Sequence, residues 1–153
     1  MQQITKHVTS AGGFIFYFDK DSKNFYTVLI ENTKREFWIP KGKTENGESF
    51  LETAVREIHE EVGFTPQDII HIGFCYHDDY LYQEGEQNIR KELDLHVFIV
   101  SEKLKIDPLD KKGIKSINWY LYPEALRIID FNKKELQKAF KMVTAYYKLH
   151  NDK

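Results

Sequence analysis

Apolar residues in this chain recur with two different periods, and the switch between them divides it into elements. The segment "AGGFIFYFD", Ala11 to Asp19, is dense in aromatic and branched residues, and the turn-like "KDSKN" separates it from "FYTVLIEN". Together they predict two strands of a hairpin or an adjacent pair. "REFWIPKG" predicts a short strand that Pro40 ends, since proline cannot donate to a sheet ladder. From Ser49 the period changes. Leu51, Ala54, Val55, Ile58 and Val62 recur at helical spacing and predict one apolar helix face. Ser49 and Glu52 have the spacing of a capping box, and Gly63 supplies the C-terminal stop. "IIHIGFCY", "LDLHVFIV" and "SINWYLY" predict three later strands, with a polar segment from Asp78 to Arg90 between the first two. The tail predicts a short helix from Pro123 and a longer one whose buried stripe is Leu136, Ala139, Phe140, Val143 and Tyr147. Strands mixed with two or three helices imply an α/β or α+β layered sheet.

Composition narrows the picture. A chain of 153 residues suffices for one domain with a full core, so residues 1–153 are expected to form a single unit. With 41% hydrophobic and 30% charged residues it has the make-up of a globular protein, and no apolar run is long enough to span a membrane. The net charge of −2 excludes whole-molecule attraction to nucleic acid, although a local basic patch stays compatible with it. Cys75 is the only cysteine, and the N-terminus has no apolar leader, so a reducing cytoplasm is the expected setting.

The sharpest chemical signal lies on the Ser49 helix. Glu57, Glu60 and Glu61 are spaced i, i+3, i+4 and share a face turned away from the apolar stripe. Like charges at such spacings cost roughly a few tenths of a kcal/mol per pair. These carboxylates also occupy the last turns, where the helix dipole disfavours them. A solvated acidic face is the ordinary explanation, but the crowding makes sense if the carboxylates share a hard divalent cation.

The residues around them carry a resemblance. From Gly42, five residues precede Glu48, seven more precede Arg56, and "REIHEEVGF" follows without interruption. This frame resembles the Nudix box, G-x5-E-x7-R-E-U-x-E-E-x-G-U with U apolar, at each of its nine constrained positions, and the element order around it is similar to that of Nudix hydrolases. The resemblance implies a Nudix fold, a mixed β-sheet sandwiched between helices, and hydrolysis of a pyrophosphate bond in a nucleoside diphosphate derivative. It places Glu57, Glu60 and Glu61 on the family's metal ligands, with a carbonyl at or next to Gly42, for Mg²⁺ or alternatively Mn²⁺. It makes Arg56 and Glu48 the salt bridge that orients the catalytic glutamates, and Glu57 or an acid outside the box the general base.

Residues outside the box point to a substrate. "FWIPKGKTENGE" resembles the box entry of diadenosine polyphosphate hydrolases, which implies that Lys41 and Lys43 face phosphates. Those enzymes tend to carry a tyrosine 16 to 18 residues past the box, and Tyr80 and Tyr82 stand there. Lys91 opens its strand as a lysine does in that group. The implied substrate is a dinucleoside polyphosphate such as diadenosine tetraphosphate. A glutamate is usual a few residues before the tryptophan, yet "KGIKSINW" has none, so Glu84, Glu86, Glu92 and Asp110 remain candidates for that role. Trp119 and Phe140 are expected in the core. Two alternatives stay open: a MutT-like nucleoside triphosphate pyrophosphatase, and a non-catalytic nucleotide-binding Nudix module. Hydrolysis at the 5′ end of RNA requires a basic channel, which the net charge does not suggest. The expected partner is a small nucleotide, acting on a monomer or homodimer, with no membrane and no nucleic acid.

Overall fold

The computed structural model describes residues 5–150. In chain order the elements are β1 (Thr5–Asp19), β2 (Asn24–Asn32), β3 (Phe37–Trp38), β4 (Lys41–Lys43), α1 (Phe50–Val62), β5 (Ile70–Glu84), β6 (Gln87–Val100), β7 (Ile114–Leu121), α2 (Tyr122–Ile128) and α3 (Lys133–His150). The strands form a seven-stranded sheet of order β3-β2-β1-β6-β5, with β4 added to β1 and β7 to β2. β1 runs parallel to β6 and antiparallel to β2 and β4, so the sheet is mixed. The fold is that of an α/β protein with a sheet between helices.

β1 is central and buried on both faces, which its near-continuous apolar run reflects. Alternation sends Ala11 and Ile15 to the face covered by α1, where they meet Ala54, Ile58 and Val62. Phe14 and Phe16 go to the other face, against Leu136, Ala139 and Val143 of α3. The α3 stripe is buried at those three positions, while Phe140 and Tyr147 pack around its rim. Trp119 lies partly buried against the first core, stacked on Phe64 with its indole N–H donating to the Leu104 carbonyl at 2.9 Å.

α1 begins and ends where its caps dictate. The Ser49 hydroxyl accepts from the Glu52 amide, and the Glu52 carboxylate accepts from the Ser49 amide at 2.9 Å. Gly63 closes the helix at φ 91°, a conformation that suits glycine, and the backbone of Asp107 passes so close that no side chain fits there.

The polar segment between the two middle strands is a correction to the expectation. From Asp78 to Arg90 the chain continues as strand, pairing Tyr80 with Lys91, Tyr82 with Ile89 and Glu84 with Gln87 across a tight turn at Gly85 and Glu86. Apolar periodicity fades there because the hairpin projects beyond the core and, Ile89 excepted, its side chains are exposed or only partly covered. The ladder itself needs only backbone groups.

Candidate active site

Three elements meet at the acidic face of α1: the helix itself, the short strand β4, and the loop between them. Strand β4 is held to β1 by the pairs Gly12–Lys41, Ala11–Gly42 and Ser10–Lys43, which fixes its backbone against the helix. The Lys41 amide donates to Glu61 Oε1 at 2.9 Å. A Cβ at Gly42 would coincide with the Glu57 carboxylate, so glycine is required for that carboxylate to lie flat on the strand. Gly42→Ala is expected to displace Glu57 and reduce turnover at least tenfold while the apolar core stays intact. Steady-state kinetics beside a thermal melt would test this.

Arg56 organises the remainder. Its Nε and Nη2 grip Glu48 in a fork at 2.6 and 3.1 Å, and Nη2 also donates to the Lys43 carbonyl at 2.9 Å. Nη1 lies 3.2 Å from Oε1 of Glu57 and 3.2 Å from both oxygens of Glu60. Glu48 in turn accepts from the Glu45 amide and the Thr53 hydroxyl, each at 2.9 Å. These bonds, the Arg56 fork foremost, hold the Glu48 carboxyl down at about 2, and the same fork raises the Arg56 guanidinium above its ordinary value. One guanidinium thereby ties the loop, the strand and two glutamates of the acidic face together.

Electrostatics show how closely the carboxylates crowd. Burial, then the neighbouring Glu57, pushes Glu61 up to about 8 in spite of its bond from Lys41. Burial also raises Glu57, against the lowering effect of Arg56. Three carboxylates crowded so that one of them prefers to keep its proton near neutral pH suit a site completed by a divalent cation, whose hard oxygen donors would be Glu57, Glu60 and Glu61.

The predicted substrate residues fall into two groups. Lys41 is largely buried, its Nζ 4.8 Å above the Trp38 ring, and burial followed by the nearby Lys91 ammonium lowers its pKa. Lys91 stands opposite Val8 and Lys41 opposite Gly12, which puts them on one face of the sheet. Tyr80 pairs across with Lys91, and the Tyr80 and Tyr82 rings, 40% and 41% exposed, lie 6.0 Å apart. Lys43 contributes its carbonyl to Arg56 and leaves its side chain exposed.

Of the four acids left open by the sequence, the structure brings Asp110 to the site. The amides of Leu109 and Asp110 donate to the Glu60 carbonyl at 2.8 and 3.0 Å, and the Asp110 charge helps to raise Glu61. Glu84 and Glu86 lie at the hairpin tip, away from α1. Glu92 belongs to another cluster, in which ligand atoms of His77, Asp79 and Glu92 come within 4.8 Å of one another. There Arg90 is the counter-cation, bonding Asp79 at 2.9 and 2.6 Å and Glu92 at 3.0 Å. Beside it runs a chain that sequence reading missed: His77 to Asp94 at 3.0 Å, Asp94 to His96 at 2.7 Å, and His96 to His71 at 3.0 Å. Its one sequence signal was Asp94 and His96 at alternate positions inside an otherwise apolar strand.

The box geometry and the mixed sheet agree with a match of residues 9–142 to the NUDIX domain. The chain belongs to the NUDIX family. It is a pyrophosphohydrolase of that family, and its relatives spread over several substrates. The RNA pyrophosphohydrolase of Francisella tularensis subsp. mediasiatica is 24% identical over 146 residues, covering 82% of this chain and 92% of that protein. The m7GpppN-mRNA hydrolase of Saccharomyces cerevisiae is 27% identical over 157 residues, 99% of this chain but only 14% of that much longer protein. Among solved structures, an Ap4A hydrolase from C. elegans in a binary complex superposes with a TM-score of 0.69 at 19% identity, covering 90% of this chain and 98% of that one. The NUDIX domain of Shewanella oneidensis NrtR complexed with ADP ribose gives 0.68 at 11% identity, with 90% and 88% covered. At such identities the structures establish the fold alone. Among the described residues no helix is long and apolar enough to cross a membrane.

Proposed function

We propose that this chain, acting as one domain over residues 1–153, hydrolyses a pyrophosphate bond in a dinucleoside polyphosphate, with diadenosine tetraphosphate as the representative substrate. The observation that carries this reading is the placement of two exposed tyrosine rings beside Lys91 and Lys41. Ring faces suit adenine, and ammonium groups suit the phosphate chain between two nucleosides. Glu57, Glu60 and Glu61 would hold Mg²⁺, or Mn²⁺ in its place. Such a cation supplies neutralisation of pyrophosphate oxygens and a bound water of lowered pKa.

The chain's own residues do the rest. Arg56 and the Lys41 amide keep the glutamates in register, and Lys41 and Lys91 draw the phosphates in. Glu57 is one candidate to accept the proton of the attacking water, and Asp110 the other. Asp110→Asn is expected to lower kcat by about 10²-fold or more with little change in KM, while Glu92→Gln, whose carboxylate is already bonded by Arg90, leaves kcat near wild type. Equal effects in the two variants would remove Asp110 from the mechanism.

A panel of diadenosine tetraphosphate, nucleoside triphosphates, ADP-ribose and NADH, each with Mg²⁺, tests the substrate. ATP plus AMP as products supports the proposal, whereas a preference for nucleoside triphosphates with release of pyrophosphate favours the MutT-like alternative. Within that panel, Tyr80→Ala or Tyr82→Ala is expected to lower kcat/KM for the dinucleotide about 5- to 100-fold, with phenylalanine restoring most of it, since the ring and not the hydroxyl stacks. A tyrosine serving only the fold would lower the melting temperature and spare selectivity. RNA ends are a second reading, supported by the RNA substrates in the names of two relatives and by a groove between the 103–115 loop and β7 that Lys103, Lys105, Lys111 and Lys115 line.

A further inference from the structure

Strand β7 ends the sheet. It pairs with β2 on one side, and among the described residues no backbone bond reaches residues 115–121 from the other, so that edge carries unpaired N–H and C=O groups. A groove of about 520 Å³ lies between β7 and the preceding loop, and every residue from Ile114 to Trp119 lines it. Successive strand residues point to opposite faces, so a groove lined by all of them follows the edge of the strand. On its far wall Lys103, Leu104, Lys105 and Ile106 alternate between exposed and half-buried, and Leu104 and Ile106 pack with Trp119 against the α1 core. The wall is fixed in place. The Trp119 indole N–H donates to the Leu104 carbonyl at 2.9 Å, and the Asp107 amide donates to the Val62 carbonyl at 2.9 Å. The stretch 103–115, "KLKIDPLDKKGIK", carries five lysines against two aspartates in a chain whose net charge is −2. Lys115 lies 3.5 Å from Glu31 and Lys103 lies 4.3 Å over the Tyr26 ring, whereas Lys105 and Lys111, also on the groove, are in no ion pair among the described residues.

We propose that this edge docks an acidic, extended segment of a partner protein, which adds a strand beside β7 and sets its carboxylates against Lys105 and Lys111. Two features select that occupant. A free strand edge needs donors and acceptors at the repeat of a strand, and only a polypeptide backbone supplies them. A nucleotide or a nucleic acid satisfies the lysines and leaves the edge unbonded. The lysines in turn choose the sign of the partner: they repel a second copy of the same edge and attract an acidic strand, so the charges that guard the edge against self-association also give it specificity. The half-buried Ile106 and Ile117 offer apolar surface for the side chains between the carboxylates. No residue of α1 lines the groove, so the docking surface is separate from the glutamates. The inference rests neither on the hydrolytic reaction nor on the identity of its substrate.

The test uses the full chain and a fluorescent peptide of alternating glutamate and valine, as long as the eight residues of β7, with binding followed by anisotropy. The expected result is saturable binding to wild type that Lys105→Glu/Lys111→Glu weakens by about tenfold or more. N-methylation of alternate peptide amides keeps every charge and removes ladder donors, and it should weaken binding to wild type by about tenfold or more as well. Hydrogen exchange of wild type should slow at residues 115–121 when the unmodified peptide is added, as newly bonded edge amides require. The last two measurements need no variant, so they decide the question even where the double variant folds poorly. Absence of binding to wild type overturns the proposal. Equal binding of the N-methylated peptide, with exchange at β7 unchanged, overturns it too, because charge alone would then hold the peptide. Displacement of the peptide by inorganic triphosphate or an oligoribonucleotide at equal charge concentration would make the groove an anion site and refute the strand.

Discussion

Replacing Glu61 with glutamine is expected to reduce turnover by about 10²-fold or more and, in metal-free buffer at pH 8, to raise the melting temperature. Outer partners of metal ligands already cost about 10–100-fold, and Glu61 is itself a proposed ligand. The stability effect follows from linkage. The Glu61 carboxyl is pushed up to about 8 by burial and by Glu57, against an ordinary value of 4.5, so the folded protein holds a proton that the unfolded chain has released. Stability tied to that proton is present at pH below 4.5 and is lost as pH rises towards 8. Glutamine keeps an oxygen for the Lys41 amide and carries no charge at any pH. Wild type in EDTA should therefore melt progressively lower from pH 5 to pH 8, and Glu61→Gln should flatten that slope. Mg²⁺ at pH 8 should restore the wild type and do little for the variant, since stabilisation by a ligand scales with its affinity for the folded state. A variant that melts several degrees below wild type in EDTA at pH 8 and remains active would defeat the metal-face argument.

How much of this was legible beforehand depends on whether the signal was periodic. The α1 face, its capping box and its glycine stop were legible because helical spacing and cap chemistry are local. The acidic triplet was legible because helical spacing puts Glu57, Glu60 and Glu61 on one face, whereas the Glu48–Arg56 pair was legible only through the resemblance to the Nudix box. The β5–β6 hairpin was not, since its outer half buries almost nothing and pairs through backbone groups that leave no mark on side-chain pattern. Asp110 could not be chosen over Glu84, Glu86 or Glu92 from sequence, because its position depends on amide bonds from the loop to Glu60, a contact about fifty residues away in the chain. The lysine groove was hidden by averaging: a net charge of −2 describes the whole molecule and says nothing of how one loop docks.

Arg56→Ala is expected to behave unlike the glutamate variants, because it removes the only cation within hydrogen-bonding distance of Glu48, Glu57 and Glu60 among the described residues. The guanidinium is about four-fifths buried, so the exposed-pair discount on its bonds is small. Its loss leaves the Glu48 carboxylate without its fork and the Lys43 carbonyl without a donor. The expected cost is about 2–4 kcal/mol, below the full penalty for a buried pair because water can reach the loop. The sign of its pH dependence is opposite to that of Glu61. Glu48 is held at about 2, below the ordinary 4.5, so its contribution is present above pH 4.5 and is lost as pH falls through about 2. Arg56→Ala should thus destabilise strongly at pH 7 and progressively less on acidification, whereas removing Glu61 matters most at alkaline pH. Turnover should fall with stability, since Glu57 and Glu60 lose the group that orients them, and Arg56→Lys should recover little because an ammonium cannot reproduce the two-pronged grip on Glu48. Melts from pH 3 to pH 8 beside kcat measurements at 25 °C would decide it. A lysine variant with wild-type stability and rate would show that charge alone suffices, and that the fork geometry plays no part.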